Sequence, residues 1–145
     1  MMGLFSFGKK VKLYAPVDGK LTDLAENTGF SVEPSNHHIY SPVTGTVSTL
    51  APEQNVIELM SGKVLVRVRC SQPLAGETAT YVHEGDTVTP ATPIAFMDQD
   101  ALEEADEDAA VRVTVDKAAN WIKKLKLSTS GQVSHDQKVG KLIAR

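Results

Sequence analysis

Five side chains in this sequence could do nucleophilic, acid–base or metal chemistry near neutral pH: His37, His38, His83, His135 and the single Cys70. Imidazole titrates in that range and ligates metals, and a thiolate is a potent nucleophile. Their spacing argues against a shared centre. His37 and His38 are adjacent, so on a strand they point to opposite faces. His83 and His135 lie in or beside turn sequences, and no pair shows His-x-His or His-Glu-x-x-His spacing. We read them as surface and turn histidines, with no metal and no cofactor site. Cys70 follows Arg67 and Arg69, whose charge would favour a thiolate. The simpler reading is a buried cysteine, packing as a small apolar residue.

These residues sit among elements that are short and strongly punctuated. The ten residues Ala15 to Leu24 (APVDGKLTDL) recur 26 positions later as Ser41 to Leu50 (SPVTGTVSTL). Two such copies suggest a sandwich built from duplicated halves, since a solenoid needs three or more units. In each Pro-Val-x-Gly, proline suits a strand start and glycine permits a tight turn or a close backbone approach. Strands are expected over 11–14, 20–24, 30–33, 38–40, 46–50, 55–60, 63–70, 80–83, 92–97 and 111–115. Ser61-Gly62 would join the 55–60 and 63–70 strands as a two-residue hairpin turn. One short helix is expected from Gln99 to about Asp108, where alanine and glutamate are abundant. AANWIKKLKL could be a short amphipathic helix or a strand. VSHDQKVGKLIA echoes VHEGDTVTPATPIA and suggests a further small hairpin. The fold class is all-β: an antiparallel β-sandwich or barrel-sandwich of duplicated halves with one or two short helices.

The chain has 145 residues, 41% hydrophobic and 23% charged, and a formal net charge of −3, so one ordinary globular domain is expected and nucleic-acid binding is not. The charge is unevenly placed. Seven of the eleven residues from Asp98 to Asp108 are acidic, whereas Lys117 to Arg145 holds seven basic residues and one aspartate. The acidic run reads as a solvated helix face, or as a docking patch for a basic partner or for this chain's own basic tail. One cysteine rules out an internal disulfide. No apolar run reaches the ~18 residues of a membrane span, and a signal peptide is not evident. The expected location is cytoplasmic. Met1 to Lys12, apolar and basic, could make weak contact with the inner face of a membrane. Three segments are expected: a leader at 1–11, a β-sandwich at 12–116 and a basic extension at 117–145.

In this order, LYAPVDGKL, GFSVEPSNHHIYSPVTGTV, NVIELMSGKVLVRV, HEGDTVTPATPIAFMD and ALEEADEDAAVRVTV resemble the glucose-family enzyme IIA domain of the bacterial sugar phosphotransferase system. The resemblance spans about residues 12 to 116. It implies partners: a carrier protein HPr that donates a phosphoryl group to a histidine, and a sugar-specific IIB domain that receives it. A transporter or regulator is a further candidate partner. The resemblance also exposes two departures. The family's His-x-Gly-Ile-Asp segment is replaced by VLVRVRCSQPL, without histidine. Only residues 20–28 separate Gly19 from Gly29, about half the usual length, so part of the family's partner-binding surface is missing.

With a Ser61-Gly62 turn, Met60 would face Lys63, Ile57 would face Val66 and Asn55 would face Val68. The resemblance then places Asn55 at the family's supporting histidine and Val68 at the phosphorylated one. A register slip of one residue would place Arg67 there instead. Valine has no nucleophilic atom, an amide is not a competent nucleophile, and guanidinium stays protonated. A degenerate, non-phosphorylated interaction or regulatory module linked to sugar uptake is therefore expected. The alternative is an active phosphocarrier using a non-standard residue. Asp116-Lys117-Ala118 resembles a biotinyl or lipoyl attachment triplet, but it follows the last strand of the sandwich instead of joining paired ones. A zinc peptidase on a related fold would need ligand motifs that the sequence lacks.

Overall fold

The computed structural model describes residues 10–24, 29–35, 38–51, 55–62, 64–70, 80–96, 110–115 and 122–144. Their strands are β1 (Lys10–Tyr14), β2 (Gly19–Asp23), β3 (Gly29–Pro34), β4 (His38–Tyr40), β5 (Gly45–Ala51), β6 (Val56–Ser61), β7 (Val64–Cys70), β8 (Thr87–Val88), β9 (Pro93–Phe96), β10 (Val111–Val115), β11 (Ile122–Leu127), β12 (Gly131–Val133) and β13 (Lys138–Ala144). No helix occurs among the described residues. The helix expected at 99–108 and the leader residues 1–9 lie outside them. All pairings between the strands are antiparallel.

Eight strands form one sheet in the order β12-β2-β3-β10-β7-β6-β5-β8, flanked by a β1-β13-β11 sheet and a β4-β9 pair. The long sheet reads the same from either end once the sequence repeat is applied. β2 and β5 carry the two Pro-Val-x-Gly copies, and β8 and β12 carry the two echoed segments. Hydrogen bonds repeat with it. Tyr14 N–H donates to the Pro42 carbonyl at 2.8 Å, and Tyr40 N–H donates to the Pro16 carbonyl at 2.7 Å. Thr89 N–H meets the Thr92 hydroxyl at 3.0 Å as Ser134 N–H meets the Gln137 amide oxygen at 3.0 Å. An approximate two-fold axis therefore crosses the long sheet between β7 and β10, at the directly opposed pair Val68 and Val113.

Alternation fills the interior. In β7 the valines at 64, 66 and 68 and Cys70 are buried, and in β10 so are Val111, Val113 and Val115. They pack with Phe30, Val32, Ile57 and Leu59, while Leu13, Ile39, Ile94 and Leu142 extend the same cluster. Full burial of such a side chain is worth about 1.5–3 kcal/mol.

Three local expectations are corrected, and one left open is decided. Ser61 pairs with Val64, so the hairpin closes one residue later than Ser61-Gly62, with Gly62 at φ 62°. That conformation suits glycine in a tight hairpin turn. Of the two readings of AANWIKKLKL, residues 122–127 take the strand, as β11. The expected terminal hairpin does not pair with itself: β12 joins β2, and β13 lies between β1 and β11. The same holds for its echo, where β8 joins β5 and β9 joins β4. The basic stretch beyond 117 is thus, over 122–144, built into the sheets. The strand expected at 80–83 is reduced to a bridge from Thr80 to Ala95.

The repeated glycines have a steric reason. A Cβ on Gly19 would collide with the Glu33 carbonyl, and one on Gly45 with the Met60 carbonyl. Backbone cannot swing aside as a side chain can. Gly19→Ala and Gly45→Ala are each expected to destabilise by about 2 kcal/mol or more in urea unfolding. Gly62→Ala, with open space but a positive φ, should cost only about 1 kcal/mol.

Candidate functional site

The hairpin β6–β7 positions Arg67, Val68, Arg69 and Cys70. Its pairs are Ile57 with Val68, Glu58 with Arg67 and Val56 with Arg69. Val68 therefore does not face Asn55. The carbonyl of Asn55 instead accepts the Cys70 N–H at 3.0 Å. The shift from the expected register is two residues, so the side chains keep the expected faces. Val68 is 1% exposed, between Ile57 and Val113 in the core. Asn55 holds φ at 61°, a left-handed conformation in which asparagine and histidine are both enriched. Cys70 points inward, away from Arg67 and Arg69, and burial pushes its thiol up to about 12. A neutral, enclosed thiol is inert.

The outer face of the same strands is polar. Arg67 Nε and Nη2 both donate to Glu58 Oε2, at 2.9 and 2.7 Å. The Arg67 side chain is 43% exposed, so this pair is worth at most about 1 kcal/mol. Across the axis Arg69 faces Arg112, and Arg67 faces Thr114. Arg69 and Arg112 are both exposed, and neither side chain has a hydrogen bond or ion pair among the described residues. Sequence reasoning singled out Arg67 and Arg69 but missed Arg112. Its signal was the alternating VRVTV, which puts arginine on the outer face, although only the tertiary register shows what it faces.

The described histidines do not come together. His38 stacks with Tyr81 at a ring separation of 6.2 Å and also meets Phe96. His83 is 90% exposed, with Nδ1 3.8 Å from Asp86 Oδ2. The His135 ring stacks on Tyr40 at 3.9 Å, its backbone N–H donates to Asp18 Oδ1 at 2.7 Å, and its Nδ1 is enclosed without a partner among the described residues. His37 lies outside the described residues. Among the described residues, no three histidine, cysteine or acidic side chains are grouped as a metal site would require.

The profile of one family, phosphoenolpyruvate-dependent sugar phosphotransferase system EIIA 1, matches residues 11–121. The chain belongs to this enzyme IIA family. The fold agrees with that of the glucose permease IIA from Mycoplasma capricolum, at a TM-score of 0.73 and 18% identity over 93% of this chain and 97% of that one. The chain is 29% identical over 147 residues to the glucose-specific EIICBA component of Streptococcus pneumoniae, covering 90% of this chain and 20% of that protein. It is 24% identical over 138 residues to the glucose-specific EIIA component of Halalkalibacterium halodurans, covering 77% and 80%. A lactose permease of Lactobacillus helveticus is 30% identical over 119 residues, covering 71% and 19%. The chain thus spans about a fifth of the length of the Streptococcus and Lactobacillus proteins.

A histidine could not occupy both candidate positions at equal cost. Val68→His would force an imidazole into a filled core and is expected to cost about 2–4 kcal/mol. Arg67→His, on the solvent side, should cost under about 1 kcal/mol. Urea unfolding of the two variants measures the difference. For Cys70, alkylation should await unfolding. Its folded value lies above the ordinary 9.0, so the folded state holds this proton more tightly. The stabilisation is intact below pH 9 and fades as pH rises toward 12. Cys70→Ala should remove that part of the alkaline loss, measured as the wild-type-minus-variant stability between pH 8 and about 11.

Proposed function

We propose that this chain is a non-phosphorylated member of the enzyme IIA family, a cytoplasmic module that binds proteins of sugar uptake without carrying phosphate. The observation that supports this most is the state of β7. Val68, which the sequence resemblance matches to the phosphorylated histidine, is enclosed at 1% exposure, and its solvent-facing neighbour is Arg67, engaged by Glu58. Neither offers a lone pair that can attack phosphorus. Asn55, at the supporting position, serves the chain by its backbone conformation and its carbonyl. Partners of HPr-like or IIB-like type, or a transporter, fit the family and the names of its relatives. No helix among the described residues is long and apolar enough to cross a membrane.

One observation favours a second reading. His83 is largely exposed and has a carboxylate nearby, the setting of a competent phosphoryl acceptor on the wrong loop. The test is the intact mass of the protein after incubation with phosphoenolpyruvate, enzyme I and HPr, beside a histidine-bearing IIA protein. The expected result is no shift while the control shifts fully. A single phosphoryl adduct would overturn the proposal, and its loss in His83→Gln would name the acceptor.

A further inference from the structure

Strands β7 and β10 place three guanidiniums on one patch of the outer sheet face. Arg69 and Arg112 stand directly opposite each other, with Arg67 two residues along β7 and Thr114 opposite it. Ser31 continues the row beyond Arg112, and Glu58 lies beyond Arg67. Directly opposed residues of an antiparallel pair have Cβ atoms about 4.5–5.5 Å apart, and like charges there are destabilising. Glu58 compensates Arg67 alone. The Arg69–Arg112 pair therefore concentrates two positive charges, both solvent-exposed, without a carboxylate from the described residues.

The two-fold arrangement makes this contrast sharper. On the other side of the axis the equivalent opposed pair is Thr114 with Arg67, a neutral residue against a paired cation. The scaffold thus tolerates a hydroxyl at this kind of position. Two forked guanidiniums in register match an anion with two charges and three oxygens better than a carboxylate with one charge and two. Arg69 and Arg112 are both solvent-exposed, so a group carried on a protein surface can reach them.

We infer that Arg69 and Arg112 form a phosphoryl-reading site that takes a phosphorylated side chain of a partner protein, with Ser31 and Thr114 as flanking hydroxyl donors. The inference rests on the proposal that this chain binds phosphotransferase proteins without accepting their phosphate. The site recognises the dianion; no bond to phosphorus forms or breaks. Arg67, held by Glu58, frames the patch.

The test has two arms. In the first, inorganic phosphate is titrated against the whole chain at constant ionic strength, with chloride and acetate as controls, following arginine Nε resonances and the thermal midpoint. Phosphate should move the Arg69 and Arg112 signals and raise the midpoint more than either control, and Arg69→Gln or Arg112→Gln should abolish both effects. Without phosphate, each variant should be at least as stable as wild type, because the opposed charges are relieved. In the second arm, calorimetry compares phosphorylated and unphosphorylated HPr. The wild type should prefer the phosphorylated form by about tenfold or more, and Arg112→Gln should bind the two alike. A phosphate response that survives both substitutions overturns the site. A response to free phosphate without preference between the HPr forms overturns the protein-borne ligand. The chain's own mass, read from the same samples, separates failure of this inference from failure of the non-phosphorylated reading.

Discussion

Everything distinctive about this protein depends on strict alternation in the two central strands, β7 and β10. Valines project inward and arginines outward, with Val68 and Val113 opposed where the two halves meet. A slip of one residue would turn the whole valine set of β7 to solvent and drive Arg67 and Arg69 into the core. Each valine exposed would cost about 1.5–2 kcal/mol, and each buried guanidinium several more. That asymmetry of cost holds the register. It also decides which side chains can meet a partner and which cannot.

Around this axis one structural solution is used twice. Each half begins with a Pro-Val-x-Gly segment whose glycine lets a neighbouring carbonyl approach, and ends with a segment that carries the chain from the long sheet to a flanking one. The reciprocal bonds between Tyr14 and Pro42 and between Tyr40 and Pro16 lock the halves together. The halves have diverged at their margins. β11 pairs along β13 over most of its length, whereas its counterpart among the described residues is the Thr80 bridge. On the outer face the divergence is chemical, with Arg–Arg on one side of the axis and Arg–Thr on the other.

Much of this was legible in the sequence because its signals are local. VLVRVRC and VRVTV alternate so regularly that their strands and faces follow from side-chain period alone. The hairpin register was less legible. Both Ser61-Gly62 and Gly62-Lys63 put glycine in a two-residue turn, and the strand pattern does not choose between them. Because the two registers differ by an even number, the faces survived while the partners changed, and Val68 acquired Ile57 instead of Asn55. The segments VHEGDTVTPATPIA and VSHDQKVGKLIA looked like hairpins because each has a turn between apolar stretches. Nothing local says that their two strands belong to different sheets. Arg112 escaped notice for the same reason, since its meaning lies in Arg69, far away in the chain.

Val68 lies inside, at the meeting of the halves, so that β7 presents arginine to solvent. Methyl nuclear Overhauser spectra of the folded chain test it most directly. The account predicts contacts from the Val68 methyls to Ile57 and Val113, with none to the side chain of Arg112. Contacts of Val68 to Arg112, with Arg67 linked to Ile57, would contradict it and return position 68 to the surface.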